Sequence, residues 1–138
     1  MSLSSLTRWH GDSFVDRSVS RTCGVLLTSM TGATGFLGSF LLAELYRCMP
    51  NGQIICLLRK KSERQQMIGA TMRKYEIDSN IVREIETSTR ITWLEGDLNL
   101  SYFGLSEEQF SELAAQTDHV IHNAAWVNGM RDTCHASD

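Results

Sequence analysis

Val25-Leu26-Leu27-Thr28-Ser29-Met30-Thr31-Gly32-Ala33-Thr34-Gly35-Phe36-Leu37-Gly38 is the stretch that decides how this chain is read. An apolar run leads into glycines at three-residue spacing, and the helix-like segment Phe36-Leu37-Gly38-Ser39-Phe40-Leu41-Leu42 follows at once. Strand, glycine turn and helix in that order form the arrangement that holds a dinucleotide's pyrophosphate. Glycine lets the backbone turn sharply and come close to phosphate, where a Cβ would collide. The helix start offers unpaired N–H groups and the positive end of its dipole to the anion. A purely structural glycine turn is the competing reading, and the strand-then-helix context weighs against it.

Working outward, the chain alternates strand and helix. Residues 25–28 read as a continuous apolar strand of the kind covered on both faces, with Ser29-Met30-Thr31 belonging to a loop beyond it. The helix over 35–49 takes Phe36, Leu37, Phe40, Leu41 and Leu45 as its inner face, and Pro50-Asn51-Gly52 ends it in a turn. Residues 53–58 form a second buried strand. Ser62 with Gln65 reads as a capping box opening a helix whose apolar stripe is Met67, Ile68 and Met72. A short helix over 80–86 and a third strand over 90–94 come next. Ser106-Glu107-Glu108-Gln109 is a second capping box, opening a helix with Phe110, Leu113 and Ala114 inward. Residues 120–124 are the fourth strand.

This order predicts an α/β fold, a Rossmann-type parallel sheet with helices on both faces, truncated after about four strands. Residues 1–22 read as a flexible N-terminal arm and residues 23–138 as the partial dinucleotide-binding domain. With the first strand central, the glycine turn and Asn123-Ala124-Ala125 border one crevice at the topological switch point.

Composition narrows the function. One domain suffices for 138 residues, and 42% hydrophobic with 21% charged residues is a globular balance. A net charge of −3 argues against an extended nucleic-acid surface. No stretch is long and apolar enough for a membrane span, the first 20 residues lack a signal-like apolar core, and Ser2 excludes myristoylation. Cys23, Cys48, Cys56 and Cys134 have no zinc or redox spacing, which fits a reduced, cytoplasmic protein, with Cys56 as a small apolar strand residue.

Arg59 ends the second strand, where an adenosine ribose would lie, and Lys60 and Lys61 follow it. A guanidinium there pairs with a 2′-phosphate, which favours NADP (NADPH) over NAD; a solvated loop arginine is the alternative. Asp97 and Leu98 after the third strand suit an adenine amino group and ring, or equally an ordinary turn. The alanines after Asn123 let a ligand lie against backbone. His122 reads as a packed strand histidine, and Trp126 and the methionines as packing residues. Hydride transfer to a carbonyl needs a proton donor, commonly a tyrosine with a lysine four residues on. Tyr46, Tyr75 and Tyr102 lack that lysine, so no catalytic residue is assigned.

Thr31-Gly32-Ala33-Thr34-Gly35-Phe36-Leu37-Gly38, Cys56-Leu57-Leu58-Arg59, Leu94-Glu95-Gly96-Asp97-Leu98, Phe103-Gly104-Leu105-Ser106 and His122-Asn123-Ala124-Ala125-Trp126-Val127-Asn128 together resemble the opening of a thioester reductase domain. This is the extended short-chain dehydrogenase/reductase type of nonribosomal peptide synthetases, alpha-aminoadipate reductase and carboxylic acid reductases. The resemblance implies NADPH-dependent reduction of an acyl thioester carried on a phosphopantetheinyl carrier protein. It implies cofactor roles for Gly32, Thr34, Gly35, Phe36, Leu37 and Gly38, for Arg59 at the 2′-phosphate, for Asp97 and Leu98 at adenine, and for Asn123, Ala124 and Ala125 along the cofactor. Against the family pattern, Ser29-Met30-Thr31 looks like an insertion that lengthens the loop. The catalytic Thr/Ser, Tyr and Lys of the family fall beyond residue 138, and residues 133–138 do not continue the pattern. The resulting expectation is a cofactor-binding portion inactive by itself, with a non-catalytic NADP-sensing module or a truncated gene product as alternatives.

Overall fold

The computed structural model describes residues 25–124. In chain order these form β1 (Leu27–Thr31), α1 (Phe36–Cys48), β2 (Gln53–Leu58), α2 (Lys61–Lys74), α3 (Ser79–Thr87), β3 (Ile91–Glu95), a 3-10 turn (Ser101–Gly104), α4 (Glu107–Gln116) and β4 (His119–His122). All pairings are parallel and the strand order is β3-β2-β1-β4, so β1 is internal and the order reverses beside it. This is the Rossmann-type sheet that the alternation predicts. The arm at 1–22, Cys23, Ala125, Trp126, Cys134 and the tail at 133–138 lie outside the described residues.

Side-chain alternation along the strands builds two cores. Met30, Ile54, Cys56, Leu58, Ile91 and Trp93 pack on one side against Leu42 and Ala43 of α1, Ile68 and Met72 of α2, and Val82 and Ile85 of α3. Leu27, Ile55 and Leu94 cluster on the other with Leu105, and Phe110 and Leu113 of α4 close over them. Helices therefore cover both faces.

The first strand corrects the sequence reading. It occupies Leu27–Thr31 rather than 25–28, so Ser29-Met30-Thr31 is strand and runs straight into Gly32, with no lengthened loop. Val25 and Leu26 precede it, and Leu26 is exposed. Hydropathy alone favoured the earlier residues. Pairing decides otherwise: Thr31 aligns with Leu57 and His122, bringing the strand's end to the glycine turn. Met30 fills the core, and the polar residues find partners. Thr28 Oγ1 reaches Met49 Sδ at 3.9 Å, and Ser29 Oγ lies 2.7 Å from Thr117 Oγ1.

The inner face of α1 differs in part: Leu41 and Leu45 pack against the core as expected, but the rest of the face is made by other residues. Gly38, Ser39, Leu42 and Ala43 are buried, whereas Phe36, Leu37 and Phe40 are exposed. The helix touches the turn through Gly38, so the bulky residues of its first turns stand outward while Leu42 reaches the core. Phe36 packs edge-on against Phe40 and Tyr75, with centroids 5.2 and 4.8 Å away.

Three smaller boundaries move. The second helix begins at Lys61 after Lys60, a residue in left-handed conformation (φ 56°), so Ser62 lies within the helix and is not its cap. Its Ile68 and Met72 are buried and Met67 is exposed. The short third helix is longer than expected because Asp78 caps it, accepting from the amides of Asn80 and Ile81. Arg90 precedes β3, and its guanidinium donates to the carbonyls of Met49 (2.6 Å), Tyr46 (3.1 Å) and Gly52 (3.3 Å) while lying 3.9 Å over the Tyr46 ring. The capping box at Ser106 and Gln109 is present as expected, although Ala114 is exposed and does not face inward. The fourth strand starts at His119 and ends before Asn123 and Ala124. No helix among the described residues is long and apolar enough to cross a membrane, and none of their His, Cys, Asp and Glu residues cluster as metal ligands.

Candidate functional site

The C-terminal ends of β1 and β4 meet at the glycine turn. Gly32 has φ +75°, and a Cβ there would stand 2.6 Å from the Asn123 carbonyl carbon and 2.7 Å from the Ala124 nitrogen. Backbone lies against backbone, and only glycine permits both that φ and that contact. A Cβ on Gly38 would come within 1.8 Å of the Gly32 carbonyl oxygen, so the third glycine lets α1 rest on the turn. Gly35 differs. Its nearest neighbour to an added Cβ is the Gly32 oxygen at 3.6 Å, an ordinary contact, and the rest is open space.

That open space faces the start of α1. Gly35 is the N-cap in extended conformation, no side chain caps the helix, and its first turn contains no acidic residue. Of the other helices, α3 and α4 are capped by Asp78 and Ser106, while α2, like α1, has no side-chain cap. The free N–H groups of the first turn and the bare Gly35 edge suit a pyrophosphate, which brings negative charge and needs close approach. The donor set fits the group. Thr34 is half-buried in the turn. Phe36 and Leu37 are exposed at the mouth.

On the β4 side, Thr31 Oγ1 is the meeting point. The amides of Asn123 (3.1 Å) and Ala124 (3.2 Å) both donate to it, and His122 Nδ1 lies 2.8 Å away. Asn123 Nδ2 donates to the Gly32 carbonyl at 3.4 Å. His122 is exposed, so the expectation of a packed strand histidine is not met. The sequence reading overlooked Thr31. A threonine at a strand's last residue, before a glycine turn, was the available signal.

Arg59 follows β2 directly, is exposed, and stands at the same end of the sheet because Leu57 aligns with Thr31. Asp97 is a turn carboxylate: its Oδ1 accepts from the Asn99 amide at 2.9 Å, and its own amide donates to the Phe103 carbonyl at 2.8 Å. Leu98 is half-buried beside it. Gly96, before them, was also overlooked; a Cβ there would stand 2.6 Å from Leu57 Cδ1 and 2.7 Å from the Phe103 oxygen. The structure thus brings Gly32, Gly35, Gly38, Asn123 and Ala124 together. Arg59, Asp97 and Leu98 stand beyond the neighbouring strands.

Tyr46 lies beneath Arg90, Tyr75 against Phe36, and Tyr102 against Phe110. Burial pushes the Cys56 thiol up to about 12, so it is no nucleophile at neutral pH.

Comparison with known proteins agrees with this geometry. The profile of an NAD-binding family described as Male sterility protein matches residues 30–137. One linear gramicidin synthase polypeptide of Brevibacillus parabrevis is 40% identical over 101 residues, covering 72% of this chain and 2% of that protein. L-2-aminoadipate reductase of Saccharomyces cerevisiae is 36% identical over 102 residues, covering 72% of this chain and 7% of the enzyme. The crystal structure of the terminal R domain from the myxalamid PKS-NRPS pathway superposes with a TM-score of 0.67 at 34% identity, over 80% of this chain and 27% of that one. A reductase (R) domain of a nonribosomal peptide synthetase from Mycobacterium tuberculosis gives 0.62 at 29%, over 77% of this chain and 25% of that one. The chain therefore spans about a quarter of these solved reductase domains and only a few per cent of the curated relatives. With the glycine turn, the sheet order and these likenesses in agreement, the chain belongs to the NAD-binding family described as Male sterility protein, and it is similar to the cofactor-binding part of the reductase (R) domains of nonribosomal peptide synthetases.

Proposed function

We propose that this chain is the NADP-binding portion of a thioester reductase, and that Gly32, Thr34, Gly35, Phe36, Leu37, Gly38, Asn123, Ala124 and Ala125 line the cofactor. The single observation carrying this reading is the bare edge at Gly35 facing the uncapped start of α1. In that role the first-turn amides bind the pyrophosphate, and the close glycine contacts exclude side chains from its path. Arg59 binds the 2′-phosphate, which selects NADP. Asp97 and Leu98 bound the adenine, Asp97 through the oxygen not given to Asn99. In a whole reductase of the kind this chain resembles, NADPH held by these residues would supply hydride to an acyl thioester presented by a phosphopantetheinyl carrier protein.

The 138 residues contain no Tyr-x-x-x-Lys, so we propose that the chain binds the cofactor without turning it over. Calorimetry with NADPH and NADH tests the binding, and NADPH absorbance in the presence of an acyl thioester tests the turnover. Saturable NADPH binding with flat absorbance is expected. Arg59→Ala should weaken NADPH by roughly tenfold or more, since charged hydrogen bonds contribute about 1.5–3 kcal/mol, and leave NADH unchanged. Equal losses for both cofactors overturn the 2′-phosphate role.

A further inference from the structure

His122 pairs with Thr31 in the β1–β4 ladder, and its Nδ1 lies 2.8 Å from Thr31 Oγ1. The same oxygen is 3.1 Å from the Asn123 amide and 3.2 Å from the Ala124 amide. Backbone amides only donate, so these two occupy both lone pairs of the hydroxyl. The hydroxyl proton is then left for Nδ1, which must be the unprotonated ring nitrogen. With the proton on Nδ1, three donors would converge on an oxygen with two lone pairs.

We propose that His122 is a positioning residue. Held as the neutral Nε2–H tautomer, it accepts from Thr31 and aims the hydroxyl's lone pairs at Asn123 and Ala124. The backbone after β4 is thereby fixed against Gly32, where the contact leaves no slack. A wall ordered in advance lowers the ordering cost of binding. The consequence for affinity rests on the reading of this crevice as the cofactor site; the consequence for the wall itself does not.

Imidazole nitrogen NMR on the 15N-labelled chain tests the tautomer, with the His122 signals identified by their loss in His122→Asn. Protonated Nε2 with unprotonated Nδ1 is expected; the opposite tautomer, or an even mixture, overturns the proposal. Amide hydrogen exchange tests the wall. His122→Leu, which has no acceptor, should speed exchange at Asn123 and Ala124 by about fivefold to tenfold, the scale of one hydrogen bond. His122→Asn, whose Oδ1 accepts near the place of Nδ1, should restore slow exchange, and NADPH affinity should follow the same order. Identical exchange in the two variants overturns the positioning role. If the tautomer and exchange behave as expected while no variant nor the parent chain binds NADPH, the positioning role stands and the cofactor reading fails.

Discussion

Two glycines three residues apart should fail in different ways when each receives one methyl group. At Gly38 the new Cβ would lie 1.8 Å from the Gly32 carbonyl oxygen, 2.7 Å from its carbon and 3.0 Å from Ala33 Cα. All three are backbone atoms, so no side chain can swing aside. The first turn of α1 has to retreat by roughly 1.2 Å to reach even the 3.0 Å below which real Cβ contacts essentially never occur. Overpacking of this kind costs roughly 1–3 kcal/mol. For a domain of this size that lowers Tm by about 4–12 °C. At Gly35 the nearest contact is 3.6 Å and φ is −83°, so Gly35→Ala is accommodated in the folded chain. Alanine there restricts the unfolded ensemble but is a poorer N-cap than glycine, and the two effects, each about 1 kcal/mol or less, offset, so Tm should change little. Its methyl nevertheless projects into the space assigned to the pyrophosphate, and NADPH affinity should fall by tenfold or more, on the order of one lost charged hydrogen bond. Differential scanning calorimetry and isothermal titration on both variants make the comparison. Gly35→Ala binding NADPH like the parent chain would refute the phosphate cradle. Gly38→Ala melting like the parent would refute the close approach of helix to turn.

Other consequences are open to direct measurement. Arg90→Ala should cost about 2–4 kcal/mol in urea unfolding, because it strips a charged donor from three carbonyls around the end of α1 and a cation from the Tyr46 ring. Arg90→Lys should recover less than half of that, since an ammonium cannot reproduce the planar fork. NADPH affinity of the folded Arg90 variants should not change, because the cluster sits at the opposite end of the sheet. Ser106→Ala removes the acceptor for the Gln109 amide and should cost about 1 kcal/mol. Burial raises the Cys56 thiol from 9.0 to about 12, so the folded chain keeps a proton that the unfolded chain loses above pH 9. That stability is whole below pH 9 and is lost as pH rises toward 12, by up to about 1.4 kcal/mol per pH unit. Urea titrations at pH 8 and pH 10 should therefore differ more for the parent chain than for Cys56→Ala. In the folded chain, iodoacetamide should label exposed Cys48 and spare Cys56, which peptide mass mapping reads directly.

What was legible in the sequence follows from which forces act locally. Buried strands such as Gln53–Leu58 and the capped start of α4 were placed correctly, because apolar runs and side-chain caps act over a few neighbouring residues. The position of β1 was not, because two long-range requirements settle it. Its polar residues had to find distant partners, Met49 for Thr28 and Thr117 for Ser29, and its last residue had to reach His122. None of these three partners lies within the window from which hydropathy is read. The inward face of α1 was misread for a related reason. Apolar bulk ordinarily marks the buried side, and Leu42 is indeed fully buried farther along, but at its start the helix must touch a carbonyl, and Gly38 wins that contact by being small. The residues displaced by this contact, Phe36 and Leu37, stand exposed at the crevice mouth. The geometry that demands glycine in the turn is thus what exposes large apolar side chains next to it.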